Sequence, residues 1–293
     1  MMNLDEHTIT EEALRRIEHT PSPRLKAIMT GLLYHLHAFA REVQLTEQEW
    51  LEGIQFLTRT GQISNSVRQE MILLSDTLGL SQLVVAQNHS RPQAATEQTV
   101  FGPFHVEGAP SLLTHGADIA VGASGDPLWV VANVVDSRGH AVVDALVDVW
   151  QADGDGFYDV QDEGWRIDES RLRAIFTTDG DGRFSFRSVM PTSYPIPMDG
   201  PVGQMMNATN RHPMRPAHIH FMIRKDGFDT LVTHVFADGD EYLDSDAVFG
   251  VRSSCIGTYV PHEEGAITPA GTVSERRFYT LDYTFVLHGL DER

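Results

Sequence analysis

The spacing of apolar residues changes near residue 100, and this change constrains the fold more than any other feature of the sequence. Before it, apolar residues recur at helical spacing, most regularly in Leu25, Ile28, Met29, Leu32, Leu33, Leu36 and Phe39. After it, short β-rich runs alternate with turn sequences such as SRGH, DGDG and KDG. We therefore predict an α+β chain with a helical N-terminal region over residues 1–98 and a β-sandwich over residues 99–293.

Residues with capping preferences predict where several helices begin. Ser22 followed by Pro23 is typical of an N-cap with proline in the first turn, so a long helix should start there. Thr8 and Thr46 each precede a glutamate by three residues, which is the pattern of a capping box. A further helix is predicted over Val67–Leu78, followed by a shorter one.

The β-rich part contains its own turn signals. The predicted strands are residues 128–136, 141–150, 183–189, 217–224, 230–236 and 277–287. The sequence DGDG occurs at Asp153–Gly156 and again at Asp179–Gly182. Since the spaced oxygen ligands and terminal glutamate of an EF-hand are missing, we interpret both as tight turns and not as calcium loops.

The charge balance excludes some partners. Forty-one acidic residues against 22 basic ones give a formal charge of −19, so a nucleic-acid partner is not expected. Cys255 is the only cysteine, which rules out an internal disulfide and favours a reducing compartment. The polar start resembles no signal peptide, and no apolar run approaches the length of a membrane span. The sequence therefore predicts a cytoplasmic protein without membrane insertion.

Residues 215–221, RPAHIHF, contain the sharpest local motif. In a strand, His218 and His220 would project from the same face, while Ile219 and Phe221 would lie on the other face. Two adjacent imidazoles can occupy neighbouring positions around one metal ion. The pair alone suits zinc, copper or ferrous iron equally well.

Two tyrosines upstream bear on the choice of metal. Tyr158 follows a turn in GFYD, and Tyr194 lies in the proline-rich sequence PTSYPIP. An isolated tyrosine in a β-rich protein is usually a packing residue, and the spacing does not show that these phenols meet the histidines. The prolines around Tyr194 indicate only that its backbone is restricted.

The segments GFYD, PTSYPIP and RPAHIH, in that order, resemble the iron-binding signature of intradiol dioxygenases that act on catechols. TVFGPFHVEGAP, residues 99–110, is similar to the stretch that begins the sandwich in that family. The resemblance implies that the sandwich is a catalytic domain and that each subunit binds one Fe(III). It implies the following metal ligands: Tyr158, Tyr194, His218 and His220.

The resemblance also implies roles for individual residues. Tyr194 would leave the metal and accept a substrate proton, and Arg215 would stabilise negative charge that develops beside the ring. The substrates would be a small aromatic diol or triol and dioxygen. His234 stands where catechol-cleaving relatives often carry glutamine, so it either donates a hydrogen bond near the site or merely occupies a strand face.

Residues 73–80, LLSDTLGL, resemble the branch that cleaves hydroxyquinol more than the branch that cleaves catechol. Asp76 would accept a hydrogen bond from the third ring hydroxyl, and the alternative is that it faces solvent or caps a turn. The predicted product is 3-hydroxy-cis,cis-muconate or its tautomer maleylacetate. By the same resemblance, the substrate pocket would be lined by Leu73, Asp76, Val100, Phe101, Gly102, Pro103, Phe104, Ile196, Pro197, Arg215 and Val248.

The same family pairs subunits through N-terminal helices that enclose phospholipid, so a homodimer through residues 1–98 is expected here, with lipid as a further expectation. Three other interpretations stay open. The first is a dioxygenase that prefers catechol or chlorocatechol. The second is a non-catalytic β-sandwich binding module, and the third is a zinc hydrolase, which lacks a third histidine or a carboxylate at motif spacing.

Overall fold

A computed structural model describes residues 3–65, 68–89, 95–111 and 115–290. The chain forms two compact units, Met1–Arg59 and Thr60–Arg293. The boundary that the sequence suggests, between residues 98 and 99, lies inside the second unit and stays a prediction. Within the described residues, no helix is both long enough and apolar enough to cross a bilayer.

The N-terminal helices are α1 (Ile9–Arg16), α2 (Pro23–Glu42) and α3 (Glu47–Ile63). Ser22 caps α2 as predicted, because its side chain accepts a hydrogen bond from the backbone N–H of Leu25 at 3.2 Å. Helix α2 has no buried residue within the chain. Its apolar side chains therefore stay partly exposed to solvent in the single chain.

One of the two predicted capping boxes forms. Thr46 and Glu49 exchange side chain–backbone hydrogen bonds at 2.9 and 3.3 Å, which confirms the box at the start of α3. The box at Thr8 is wrong, because Thr8 makes no side-chain cap to α1. Its Oγ1 instead accepts the backbone N–H of Asp5 at 3.0 Å and donates to Asp5 Oδ1 at 2.7 Å, so the Thr8 side chain is engaged by the preceding turn.

Three further α-helices are described: α4 (Glu70–Thr77), α5 (Leu80–Asn88) and α6 (Pro201–Ala208). Helix α4 was expected from Val67, which lies outside the described residues, and it begins at Glu70. Gly79 adopts φ +74° between α4 and α5, a conformation that glycine reaches without steric cost. Helix α6 was not predicted, since its eight residues are too few for periodicity to identify a helix.

The strands are β1 (Ala117–Asp118), β2 (Pro127–Asp136), β3 (Leu146–Trp150), β4 (Arg173–Thr177), β5 (Arg183–Val189), β6 (Tyr194–Pro195), β7 (Met214–Arg215), β8 (His218–Arg224), β9 (Leu231–Ala237), β10 (Ile256–Gly257), β11 (Tyr259–His262) and β12 (Phe278–Leu287). One sheet has the order β1-β5-β2-β12-β11 and the other β10-β9-β8-β3-β4. Strands β6 and β7 form a separate pair. The predicted α+β class with a sandwich is confirmed.

The predicted strand over residues 141–150 is shorter than expected. It begins at Leu146, because Asp144 adopts φ +54° and interrupts the extended backbone. Both DGDG sequences form tight turns, as predicted. In each, the first aspartate, Asp153 or Asp179, accepts hydrogen bonds from two backbone N–H groups ahead of it at 2.8–3.0 Å.

The two larger sheets pack face to face around one apolar core. Phe186 and Phe285 of the first sheet are buried together with Ile219 and Phe221 of the second. Because side chains alternate along a strand, burying these residues of β8 in the core directs His218 and His220 to the opposite face. The sandwich core thus fixes which way the two imidazoles point.

Candidate metal centre and substrate pocket

Four side chains from three parts of the second unit meet at the outer face of β8. His218 and His220 come from β8 itself, Tyr194 from β6, and Tyr158 from the segment that follows the first DGDG turn. All four are almost inaccessible to solvent. The structure therefore brings together the four residues that the sequence motifs single out.

The phenol oxygens and imidazole nitrogens of these residues form a closed ring, which we call the donor ring: Tyr158 Oη, Tyr194 Oη, His218 Nε2 and His220 Nε2. Going round it, the separations are 3.0 Å between the phenol oxygens, 3.3 Å from Tyr194 to His218, 3.2 Å between the imidazole nitrogens, and 3.0 Å from His220 to Tyr158. Donors about 2.1 Å from one ion lie about 3 Å apart when their bonds to it are near perpendicular. The donor ring has the dimensions that one metal ion requires.

The Nδ1 atoms of the two imidazoles have different surroundings. His218 Nδ1 donates to the carbonyl oxygen of Pro216 at 2.6 Å, so its Nε2 carries a lone pair that faces the centre. His220 Nδ1 has no hydrogen-bond partner within the part of the chain described. A metal ion at the centre of the donor ring would bind both Nε2 atoms as neutral imidazole ligands.

Burial keeps the four groups neutral without a cation. It raises the pKa of Tyr158 well above 10.0, with a further contribution from Tyr194. It also raises the pKa of Tyr194, against the opposing charge of Arg215. For His218 and His220, burial lowers the pKa well below 6.5. Neutral imidazole is the form that binds metals, and a multivalent cation is what would ionise the phenols, so the donor set fits a metal ion.

Close packing holds both tyrosines. Gly156 adopts φ +89°, and a Cβ added there would lie 2.7 Å from Cβ of Tyr194, so only glycine lets the two segments approach this closely. Phe104 stacks on Tyr158 with ring centroids 4.3 Å apart and an interplanar angle of 18°. The ring of Tyr158 is thus fixed from the side of the loop that contains residues 99–111.

Arg215 lies beside the donor ring. It pairs with Tyr194 in the β6–β7 ladder, and its Nη1 is 3.2 Å from His218 Nε2. Its side chain is 3% exposed and forms an ion pair with Asp246 at 3.0 Å. A buried guanidinium next to two phenols lies in a suitable place to stabilise negative charge.

His234 supplies a third imidazole. It lies in β9 directly opposite His220, and its Nδ1 hydrogen-bonds to Thr99 Oγ1, so it does more than occupy a strand face. Ring nitrogens of His218, His220 and His234 lie within 4.8 Å of one another. The phenol oxygens approach the imidazole Nε2 atoms more closely, at 3.0 and 3.3 Å, so the mixed donor ring is the tighter site.

Predicted pocket residues line a cavity of about 400 Å³ in the second unit. Those that line it are Leu73, Pro103, Phe104 and Pro197. The same cavity is lined by charged residues that the sequence analysis did not select, among them Arg68 and Asp199, which form an ion pair at 2.7 Å. Its volume suits one small aromatic ring with surrounding water.

The remaining predicted pocket residues do not line this cavity, and their surroundings differ. Gly102 lies against His220, and Val100, Ile196 and Val248 are buried. Phe101 is 38% exposed and contacts the rings of His105 and Trp150, so it lies at the edge of the buried region. Whether each of them touches substrate stays a prediction.

Asp76 is buried and does not face solvent. It lies one helical turn after Leu73 on α4, which places both on one helix face. Its Oδ2 atom has no hydrogen-bond partner within the described ranges. Burial raises its pKa, although a contact with Ser81 and the charge of Arg215 act in the opposite direction. A buried carboxyl with an unused oxygen is costly unless a ligand completes it.

Sequence reasoning missed the residues that hold the loop of residues 99–111. His105 Nε2 lies 3.0 Å from Asp148 Oδ2 on β3, and both side chains are buried. Arg173 on β4 donates to the carbonyl oxygen of Phe104 at 3.1 Å and pairs with Asp159, the neighbour of Tyr158. Buried charges need partners, but the sequence does not say which of 41 acidic residues provide them.

Gly102→Ala should weaken metal retention about tenfold, because the added methyl would lie 3.1 Å from His220 Cε1 and displace that ring. Gly108→Ala is a matched control, since both glycines have a left-handed φ but nothing lies within 4 Å of a Cβ at Gly108. Metal content per chain after dialysis against a chelator measures the difference. Equal retention by the two variants would count against contact with His220 as the cause.

Two known family models match the chain. The family model described as the dioxygenase domain matches residues 100–289. The model described as the catechol dioxygenase N terminus matches residues 22–96. Together they account for most of the chain, including helices α2 and α3.

Individual relatives are similar over nearly their whole length. The 6-chlorohydroxyquinol 1,2-dioxygenase of Cupriavidus pinatubonensis is 53% identical over 98% of this chain and 99% of its own. The hydroxyquinol 1,2-dioxygenase of Nocardioides simplex is 51% identical over 96% and 95%. The crystal structure of hydroxyquinol 1,2-dioxygenase from Pseudomonas putida superposes with a TM-score of 0.85 at 47% identity, covering 97% of this chain and 98% of that one. The chain belongs to the intradiol ring-cleavage dioxygenase family.

Proposed function

We propose that this dioxygenase binds one Fe(III) per subunit through the donor ring and cleaves hydroxyquinol between adjacent hydroxylated carbons. The other substrate is dioxygen, and the product is 3-hydroxy-cis,cis-muconate or its tautomer maleylacetate. The observation that carries the proposal is the closed ring of two phenol oxygens and two imidazole nitrogens at 3.0–3.3 Å. The names of the similar enzymes support the choice of substrate.

The donor ring favours a trivalent metal. Phenolate oxygens are hard anionic donors, and two of them against three positive charges leave one charge that an anionic substrate can balance. A bound ferric ion would supply the Lewis acidity that draws in two adjacent ring oxygens and activates the ring toward dioxygen. The protein contributes a dry, preorganised enclosure, since all four donors are buried.

Tyr194 is proposed to hold and move a proton. Its Oη lies 3.0 Å from Tyr158 Oη and 3.3 Å from His218 Nε2, and burial keeps its pKa raised. A phenolate at this position would regain a proton readily, so Tyr194 Oη can accept one from a substrate hydroxyl. Arg215, paired with Tyr194 across the β6–β7 ladder, is proposed to stabilise the charge that develops on substrate oxygen.

Specificity for a triol is proposed to rest on Asp76. Its unpartnered Oδ2 can accept a hydrogen bond from the third hydroxyl of hydroxyquinol. Catechol has only two hydroxyls and would leave that oxygen unsatisfied, which disfavours it. The apolar residues Leu73, Val100, Phe104, Ile196 and Val248 are proposed to shape the rest of the pocket, with Phe101, Gly102, Pro103 and Pro197.

A homodimer through the N-terminal helices is part of the proposal, as is the division into residues 1–98 and 99–293. Helix α2 exposes about half of each of Leu25, Ile28, Leu32, Leu36 and Phe39. A stripe of this kind on one helix marks an interaction surface, which a second subunit and phospholipid would cover. We also propose that the enzyme is cytoplasmic, in keeping with its lone, buried Cys255.

Metal analysis with a visible spectrum tests the proposal. The purified protein should contain about one iron per chain, absorb visible light through phenolate-to-iron charge transfer, and sediment as a dimer. Adding hydroxyquinol without oxygen should shift the absorption band, and admitting oxygen should yield the ring-opened acid. A colourless protein that stays inactive after ferric reconstitution would instead support a non-catalytic module.

A further inference from the structure

Asp246 holds Arg215 through a buried, two-point ion pair. Arg215 Nε donates to Asp246 Oδ1 at 3.0 Å, and Nη2 donates to Oδ2 at 3.3 Å. The two side chains are 3% and 2% exposed. With two guanidinium nitrogens held in this way, the planar group can point its remaining Nη1 in only one direction, and Nη1 lies 3.2 Å from His218 Nε2.

The same carboxylate builds the turn that carries Val248. Its Oδ1 accepts the backbone N–H of Val248 at 3.3 Å, and its Oδ2 accepts that of Gly250 at 2.9 Å. Between them Phe249 adopts φ +59°, a conformation that bulky side chains rarely reach. A strained residue persists only where its surroundings impose it, and here four N–H groups converge on Asp246. Val248, a predicted pocket residue, is left 2% exposed.

Gly250 leaves no free space around the ion pair. A Cβ added there would lie 3.0 Å from Asp246 Oδ2 and 3.2 Å from Arg215 Nη2. Asp76, the other carboxyl near Arg215, has no hydrogen bond to the guanidinium within the described residues. The orientation of Arg215 therefore depends on Asp246.

We propose that Asp246 is a positioning residue for ring cleavage, which fixes both the direction of Arg215 and the turn that carries Val248. The inference rests on the proposed function. Asp246 does not contact substrate in this role, because its oxygens are occupied by Arg215 and by two backbone N–H groups. Its effect on the reaction passes through Arg215, which acts on charge that develops during turnover.

Asp246→Asn should lower kcat about 10- to 100-fold and change KM less than about threefold, because Arg215 acts mainly on developing charge. Iron content and the visible band of the resting enzyme should match wild type, since the donor ring is untouched. Anaerobic titration should give a dissociation constant for hydroxyquinol within about threefold of wild type. A variant with wild-type kcat overturns the inference, whereas an iron-free, inactive wild type overturns the proposed function itself.

A double-mutant cycle separates positioning from general support of the fold. In an Arg215→Gln background, Asp246→Asn should lower kcat less than about twofold further, because the residue that it orients is gone. An equal loss in both backgrounds, together with a lower unfolding temperature, would show a purely structural role. If Asp246→Asn does not fold, Gly250→Ala still disturbs the ion pair sterically and should lower kcat about 3- to 10-fold.

Gly180→Ala is the matched control for Gly250→Ala. Neither glycine has a left-handed φ, but nothing lies within 4 Å of a Cβ at Gly180. The control should keep wild-type kcat and KM. If Gly250→Ala also keeps wild-type kcat while it folds normally, the ion pair geometry does not limit turnover and the inference fails.

Discussion

Tyr158→Phe is expected to lose iron, visible colour and more than about 1,000-fold of the ring-cleaving activity. The substitution removes one oxygen of the donor ring, which lies 3.0 Å from both Tyr194 Oη and His220 Nε2. Three donors remain, and one negative charge that would balance the ferric ion is lost. Iron analysis, the visible spectrum and oxygen uptake with hydroxyquinol measure the three effects.

The substituted chain should still fold. Phenylalanine keeps the ring that stacks on Phe104, so the variant loses only hydrogen bonds, at a cost of about 1 kcal/mol to the metal-free protein. Its unfolding temperature without metal should therefore lie within a few degrees of wild type. Loss of function with retained folding separates a ligand from a packing residue.

Tyr259→Phe provides the matched control. Tyr259 is also buried, burial raises its pKa, and its hydroxyl donates to the carbonyl oxygen of Val235 at 2.9 Å, outside the donor ring. This control should lose about 1 kcal/mol of stability and keep its iron. If Tyr158→Phe behaves like the control and binds iron with the wild-type band, the proposed ligand set is wrong.

Local periodicity was enough to predict that the two histidine side chains project from the same face of a strand. Alternation along a strand places His218 and His220 on one face and Ile219 and Phe221 on the other, and the core of the sandwich imposes that choice. The pairing of β8 with β3 adds Trp150, which stacks on His220 with centroids 4.7 Å apart. Contacts between neighbouring strands depend on the register in which distant segments pair, and the periodicity of one segment does not predict that register.

The positions of the two tyrosine side chains could not be predicted from residue types and spacing. Tyr158 follows a turn and Tyr194 lies in a two-residue strand, so neither carries a repeating pattern that fixes its direction. Only the resemblance of whole motifs linked them to the histidines. Contacts such as Gly156 against Tyr194 follow from the way loops cross, a property of the folded chain and not of either segment alone.

Buried counter-charges were harder still to predict. Asp246 and Asp159 each pair with a buried arginine near the site, yet nothing in their local sequences distinguishes them from exposed aspartates. In a chain with a formal charge of −19, an acidic residue carries little information about its environment. Long-range packing selects which carboxylates become buried, and only the three-dimensional structure shows that selection.

Asp76 provides the strongest expected effect on specificity. Its carboxyl is 1% exposed, its Oδ2 has no partner within the described residues, and burial raises its pKa. A carboxyl whose pKa is raised by folding lowers the stability of the protein as the pH rises above its unfolded pKa, and the whole cost is present above its folded pKa, because ionising it in the interior costs more than in water. A group that is unfavourable for stability and unsatisfied in the folded chain is best explained by a ligand that completes it.

Asp76→Ala should therefore lower the ratio of kcat/KM for hydroxyquinol to that for catechol by about 100-fold, mainly through loss of the triol reaction. Asp76→Asn keeps an acceptor oxygen of the same reach and should retain more of the preference. Neither change should lower the unfolding temperature, since at neutral pH each removes a buried acid and breaks no ion pair. Steady-state kinetics with both substrates and thermal unfolding give the answer. If Asp76→Ala leaves the substrate ratio unchanged, with or without a loss of stability, Asp76 has only a structural role. The preference for a triol would then have to come from residues outside α4.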